Sequence, residues 1–277
     1  MGIRLRIDLS YDGGHFSGWA KQPALRTVQG ELEKALASTL RLEADQVKTV
    51  VAGRTDAGVH AEGQVCHVDL PEGYSLSDST LRALPGRVQG ALRSPHCVIQ
   101  GISLAPTGFD ARFSPLSRTY RYRIADAMST KNPLHAGFTL WHTGTLSVKE
   151  MNALGRALRG LHDWASFCKP RVGSTTIRDL KSFSWSRTPD GVLEGIVTAD
   201  AFCHSMVRSL VGAAVAVGTG KLSVQDVLEL RDKKARTSSF PTLPAHGLTL
   251  VSVHYPAHSR LAARANLTRN KRDADPD

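Results

Sequence analysis

The run Val51 to Val68 reads VAGRTDAGVHAEGQVCHV and sets Arg54, Asp56 and His60 close together between two apolar stretches. A carboxylate beside a cation can serve as a nucleophile or as a general base. A plain hairpin needs about two to five turn residues, whereas this connection is longer and carries both signs of charge. Gly53, Gly58 and Gly63 permit backbone turns closed to other residues, so Asp56 can be thrust outward at the end of a sheet. Two readings of Asp56 stand at this point: a reacting carboxylate, or an Asx-type turn whose side chain satisfies backbone N–H groups. His60 and His67 offer imidazoles to a metal, but no third ligand stands at a recognisable spacing, and no metal is expected.

The elements that must position this loop follow from periodicity. Ile3, Leu5, Ile7, Leu9 and Tyr11 alternate with charged and polar residues, the pattern of a half-buried strand. A helix starts after Thr27, with Val28, Leu32, Ala35 and Leu36 on one face. Strands at 47–52 and 64–70, a helix near 77–85 and a strand at 96–104 complete a βαββαβ order. The order recurs: a strand at 119–124, a helix at 147–160 opened by Ser147-x-x-Glu150, strands near 177–187 and 192–200, helices at 204–218 and 223–231, and a strand at 248–255. The expected fold is α+β. Two ferredoxin-like halves, 1–115 and 116–256, form a largely antiparallel mixed sheet with helices on one side. Residues 257–277, of mixed charge and low apolar content, read as a disordered tail.

The chain has 277 residues, enough for a sizeable core without staples, and a formal net charge of +10. That balance points to a polyanion, nucleic acid first. Four scattered cysteines with no CxxC pair and no long apolar run indicate a reduced, soluble, cytoplasmic protein without a membrane span.

The run AGRTDAGVHAEGQV resembles the signature of the tRNA pseudouridine synthase A family. YDGGHFSGW at 11–19, FDARFSPLSRTYRYRI at 109–124, FCHSMVRSLVG at 202–212 and AHGLTLVSVHYP at 245–256 resemble further family segments, in family order. Two places depart from the pattern: Ala20 stands where the family has Gln, and LRALPGRVQGALRSPHCVIQG is longer and more basic than its counterpart.

The resemblance implies the pseudouridine synthase fold and isomerisation of uridine at positions 38, 39 and 40 of the tRNA anticodon arm, without a cofactor. It also implies a homodimer in which one tRNA touches both subunits. Asp56, Tyr120 and Arg208 are the expected catalytic set. Asp56 matches the family's reacting Asp and Arg208 the Arg that faces it. Tyr120 matches the Tyr that stacks on the target base and is assigned removal of the C5 proton. Tyr120, Arg54 and His60 are the expected substrate contacts, Arg54 stabilising the flipped nucleotide. Arg112, Arg118, Lys169, Arg171, Lys233 and Lys234 are candidate phosphate contacts. Two rivals share the residue types. An RNA-recognition module would use the same βαββαβ unit without chemistry, but its third-strand aromatics are missing from QVCHVDL. An N-glycosidase would also use a carboxylate, releasing the base instead of re-attaching it.

Overall fold

A computed structural model describes residues 2–169 and 175–270. The chain is α+β and divides into two compact units, one holding the residues up to Leu116 together with those from Leu250 onward, the other Ser117–Thr249.

The first unit runs β1 (Arg4–Tyr11), α1 (Val28–Leu40), β2 (Thr49–Val51), β3 (His60–Asp69), α2 (Asp78–Leu92) and β4 (Cys97–Leu104), the expected order. β1 lies between β3 and β4, antiparallel to each. Its alternation sends Leu5, Ile7, Leu9 and Tyr11 into the core, as the two-residue period of a strand requires. Thr27 caps α1 by accepting from Gly30 N–H. Two boundaries differ from expectation. β3 begins at His60, so Gly63 lies inside the strand, where a Cβ would stand 2.4 Å from the Val251 carbonyl oxygen. α2 continues past Pro85 to Leu92. Proline removes one N–H bond from a helix, but the buried stripe Leu84, Val88, Leu92 carries it on. Gln89 then ties α2 to β4, donating to the Cys97 carbonyl (3.1 Å) and accepting from Ile99 N–H (2.8 Å).

The second unit contains β5 (Ser117–Ala125), β6 (Leu140–Trp141), α3 (Val148–Ala157), β7 (Gly160–Asp163), β8 (Ile177–Arg187), β9 (Leu193–Ala199), α4 (Met206–Gly218) and α5 (Val224–Asp232). Its strands order β5-β9-β8-β7, all antiparallel, and β6 pairs parallel with β5. α3 packs on β8 closely enough that a Cβ on Gly155 would meet the Phe183 carbonyl oxygen at 2.2 Å. At the end of β5 the Asp126 carboxylate is fully buried. It receives a two-nitrogen grip from Arg187 (2.7 and 3.0 Å) and backbone N–H groups from Met128 and Leu146. Burial opposes its charge, but Arg187 and those N–H groups outweigh burial and hold the carboxyl below its ordinary range.

β10 (Leu248–His254) was expected in the second half; from Leu250 it belongs to the first unit, beside β3. The disordered tail expected at 257–277 is also corrected as far as residue 270. After a short 3₁₀ turn, α6 (Leu261–Asn270) forms. Leu261 and Ala265, one turn apart, are buried, and Leu261 joins a cluster of Ala52, Val65, Phe109 and Ala111. Ser114 donates to the Leu261 carbonyl, and Arg269 pairs with Asp110 (2.6 Å). Two small or branched apolar residues at i and i+4 sufficed where composition suggested none. Residues 271–277 lie outside the described residues.

Cys168 and Cys203, expected as separate reduced thiols, are paired as a disulfide with Cα atoms 5.9 Å apart, within the bridging range. A sequence separation of 35 concealed their proximity. Cys66 and Cys97 are buried thiols. Among the described residues no helix is long and apolar enough to cross a membrane.

Candidate active site

The Asp56 loop joins β2 to β3 and is held from several sides. Gln64, a polar side chain with no exposure, donates to the Gly53 carbonyl (2.9 Å) and to the Tyr11 hydroxyl (3.1 Å). Tyr11 in turn shares a 2.8 Å hydrogen bond with Thr55 Oγ1. Trp19 N–H donates to the Thr55 carbonyl (3.0 Å), and Val59 N–H closes a turn on the Asp56 carbonyl (3.1 Å). Gly58, at φ +80°, occupies the position where such a turn needs a left-handed residue. The turn is thus closed backbone to backbone. The Asp56 side chain is half-buried at its start.

The segment YDGGHFSGW forms the wall behind this loop. A Cβ on Gly13 would stand 2.0 Å from the Val59 carbonyl oxygen, and one on Gly18 would stand 3.0 Å from Thr55 O and Ala57 N. The two glycines therefore let backbone meet backbone. Tyr11, Phe16 and Trp19 pack their rings together below. Arg54 is exposed on the loop. His60 is buried instead, its Nδ1 accepting from Gly13 N–H (3.1 Å).

In the second unit, Tyr120 lies in β5 opposite Val197, buried, with its ring edge-to-face on Phe202 at 5.1 Å. Tyr122 on the same face is a core residue; burial pushes its phenol well above the ordinary range, against the pull of the nearby Arg208 charge. Its hydroxyl donates to the Pro244 carbonyl (2.8 Å). Arg208 stands in the first turn of α4, where Nη1 donates to the Leu243 carbonyl (3.3 Å) and Nη2 to Ser205 Oγ (3.2 Å). Residues 241–244 run along this helix: a Cβ on Gly212 would meet the Pro241 carbonyl oxygen at 1.8 Å, and Ser209 bonds Thr242. α4 begins at Met206, after Ser205 at φ +66°. His204, expected on the helix with Arg208, lies before it.

The structure places Arg54 and Asp56 on one loop with His60 at the start of the strand that follows it, and Tyr120 and Arg208 on β5 and α4 of the other unit. Of the proposed phosphate contacts, Arg112, Lys169, Lys233 and Lys234 are exposed, whereas Arg118 donates to the Asp200 carbonyl (2.6 Å). Arg171 lies outside the described residues. The holding residues Tyr11, Thr55 and Gln64 escaped the sequence reading. The available signal was a glutamine at an inward position of an apolar strand.

Residues 155–256 match the family model described as tRNA pseudouridine synthase. The tRNA pseudouridine synthase A of Leifsonia xyli subsp. xyli is 50% identical over 280 residues, 97% of each chain. That of Frankia casuarinae is 51% identical, covering 96% of this chain and 94% of the other. The Mycobacterium leprae protein of the same name is 45% identical over 98% of this chain and 96% of its own.

Proposed function

Because the chain belongs to the tRNA pseudouridine synthase A family and is an isomerase converting uridine to pseudouridine in tRNA, we propose that Asp56 is its reacting carboxylate. The observation that carries this reading is the support of the loop: its ties run through Gly53 O, Thr55 O, Thr55 Oγ1 and Asp56 O.

The reaction breaks the N1–C1′ bond, turns the released uracil and joins its C5 to C1′. Asp56 attacks the sugar or C6 of the ring, or acts as base toward the sugar. Arg208, whose guanidinium is oriented by Leu243 O and Ser205 Oγ, is the cation of the proposed catalytic set. Tyr120 offers a ring face for the base and a phenol for the C5 proton. Arg54, exposed at the loop, steadies the nucleotide once it leaves the stack, a step costing a few kcal/mol. His60 backs the loop through Gly13. The substrate sites are uridines 38, 39 and 40 of the anticodon arm, the working form is a homodimer in the cytoplasm, and the chemistry uses side chains alone, with no cofactor or metal.

Asp56→Asn tests the proposal, since it preserves shape and removes charge. tRNA binding stays near wild type while pseudouridine formation, read by nucleoside analysis of treated tRNA, vanishes. Substantial turnover by the variant would remove Asp56 from the chemistry, and free uracil as the wild-type product would favour an N-glycosidase.

A further inference from the structure

At the far end of β1, outside the proposed chemistry, three ligand-bearing side chains converge. Asp12, His15 and His96 each present one oxygen or nitrogen, and these atoms all lie within 4.8 Å of one another. They come from separate places: Asp12 and His15 flank the 3₁₀ turn after β1, and His96 immediately precedes β4. Backbone bonds fix the meeting. Asp12 N–H donates to the His96 carbonyl (2.9 Å), and His15 N–H donates to the Asp12 carbonyl (3.3 Å). His96 N–H donates to Ser94 Oγ (3.2 Å).

The three side chains lie in mutual contact. The His15 and His96 rings stack with centroids 3.4 Å apart, and His15 Nε2 is 3.6 Å from Asp12 Oδ2. The other carboxylate oxygen, Oδ1, accepts from Gly14 N–H (3.0 Å) and lies 3.0 Å from His60 Nδ1. That nitrogen already accepts Gly13 N–H, and one nitrogen cannot accept there and also donate to Asp12.

We propose that Asp12, His15 and His96 bind a divalent transition-metal ion of the zinc type. Two imidazoles and a carboxylate suit Zn²⁺, Co²⁺ or Ni²⁺ rather than Mg²⁺ or Ca²⁺, which favour oxygen alone. Zn–N and Zn–O distances of about 2.0–2.2 Å require the three atoms to draw closer than they stand and the stacked rings to turn toward a common point. Asp12 and His15, each with 47% of its side chain exposed, have the freedom to do so. Three protein ligands leave a position for water. The ion ties the end of β1 to the start of β4 and stands one residue, Asp12, away from His60. It is a staple behind the Asp56 loop and not a participant in the reaction.

The test uses the full, untagged chain with the Cys168–Cys203 disulfide intact, so that these two cysteines offer no competing thiols. Zn²⁺ is titrated by calorimetry and Co²⁺ by its visible absorption. One ion per chain binds saturably and raises Tm, and His15→Ala/His96→Ala, two partly exposed changes that leave the core intact, weakens binding by at least about tenfold. Circular dichroism confirms the fold of the double variant. Absence of saturable one-to-one binding overturns the proposal, as does a smaller loss in a folded double variant.

Discussion

Asp56 and Asp126 each lie beyond the end of a strand and at the start of a turn, yet their loops are fixed by different ties. Asp126 is sunk among donors: Arg187 grips both its oxygens, and Met128 and Leu146 add backbone N–H groups. It organises its turn through its own carboxylate. The Asp56 loop is tied at Gly53 and Thr55 by Tyr11, Gln64 and Trp19 N–H, with Gly13 and Gly18 passing close behind it. An aspartate whose side chain does the holding is structural.

The sharpest way to break this contrast is to remove the structural carboxylate. Asp126→Ala leaves Arg187 without its buried partner and lowers unfolding free energy by about 3–5 kcal/mol, measured by urea denaturation at neutral pH. Turnover per folded molecule stays near wild type. The pH dependence has a definite sign. The folded carboxyl titrates below the ordinary value of 3.8, so its contribution is complete above that value and is lost as pH falls through the lower folded one. The wild type therefore loses an acid-dependent increment of stability that Asp126→Ala lacks.

Next in size is a pair of glycine substitutions. Gly13→Ala drives a methyl toward Val59 O and displaces the loop. A shift of about 1 Å costs on the order of a hundredfold in rate, so kcat/KM falls by about that factor while Tm moves little. Gly212→Ala drives a methyl into Pro241 O within the second unit and lowers stability by about 1–3 kcal/mol or more, seen as a drop in Tm. If the two variants showed the same profile, the division between a locally held loop and a globally packed helix would fail.

The smallest effect belongs to the Tyr11 hydroxyl. Tyr11→Phe deprives Thr55 and Gln64 of a partner, at a cost of about 1–3 kcal/mol for the polar groups left unpaired. Thr55→Val has a similar effect, and the double variant costs less than the sum because the two share one bond. A double-mutant cycle on unfolding free energy checks the coupling, and strict additivity would mean that the bond carries no weight.

Much of this was legible in the sequence because strand alternation and helical stripes are short-range signals. Leu5, Ile7 and Leu9 announce β1, and Ser147 with Glu150 announces α3. The GRTDAGVH run announced a loop with a purpose through its glycines and charges. What stayed hidden depends on distant residues. Tyr11, Thr55 and Gln64 become a network only when β1 pairs with β3. Cys168 meets Cys203 through folding of the second unit. Pro85 suggested a helix end, although the buried faces of Val88 and Leu92 overrode it. α6 lacks a strong stripe, and its anchors Ser114, Asp110 and Phe109 lie far upstream.

The interrupted first unit sets an order for maturation during synthesis. Residues 117–249 leave the ribosome before Leu250–His254 and α6, so the second unit has all its chain while the first still lacks a strand and its covering helix. At roughly 5–20 residues per second, Ala52, Val65, Phe109 and Ala111 wait on the order of ten seconds for Leu261. The half of the molecule translated first is therefore completed last, its cluster of Ala52, Val65, Phe109 and Ala111 lacking Leu261 until α6 emerges.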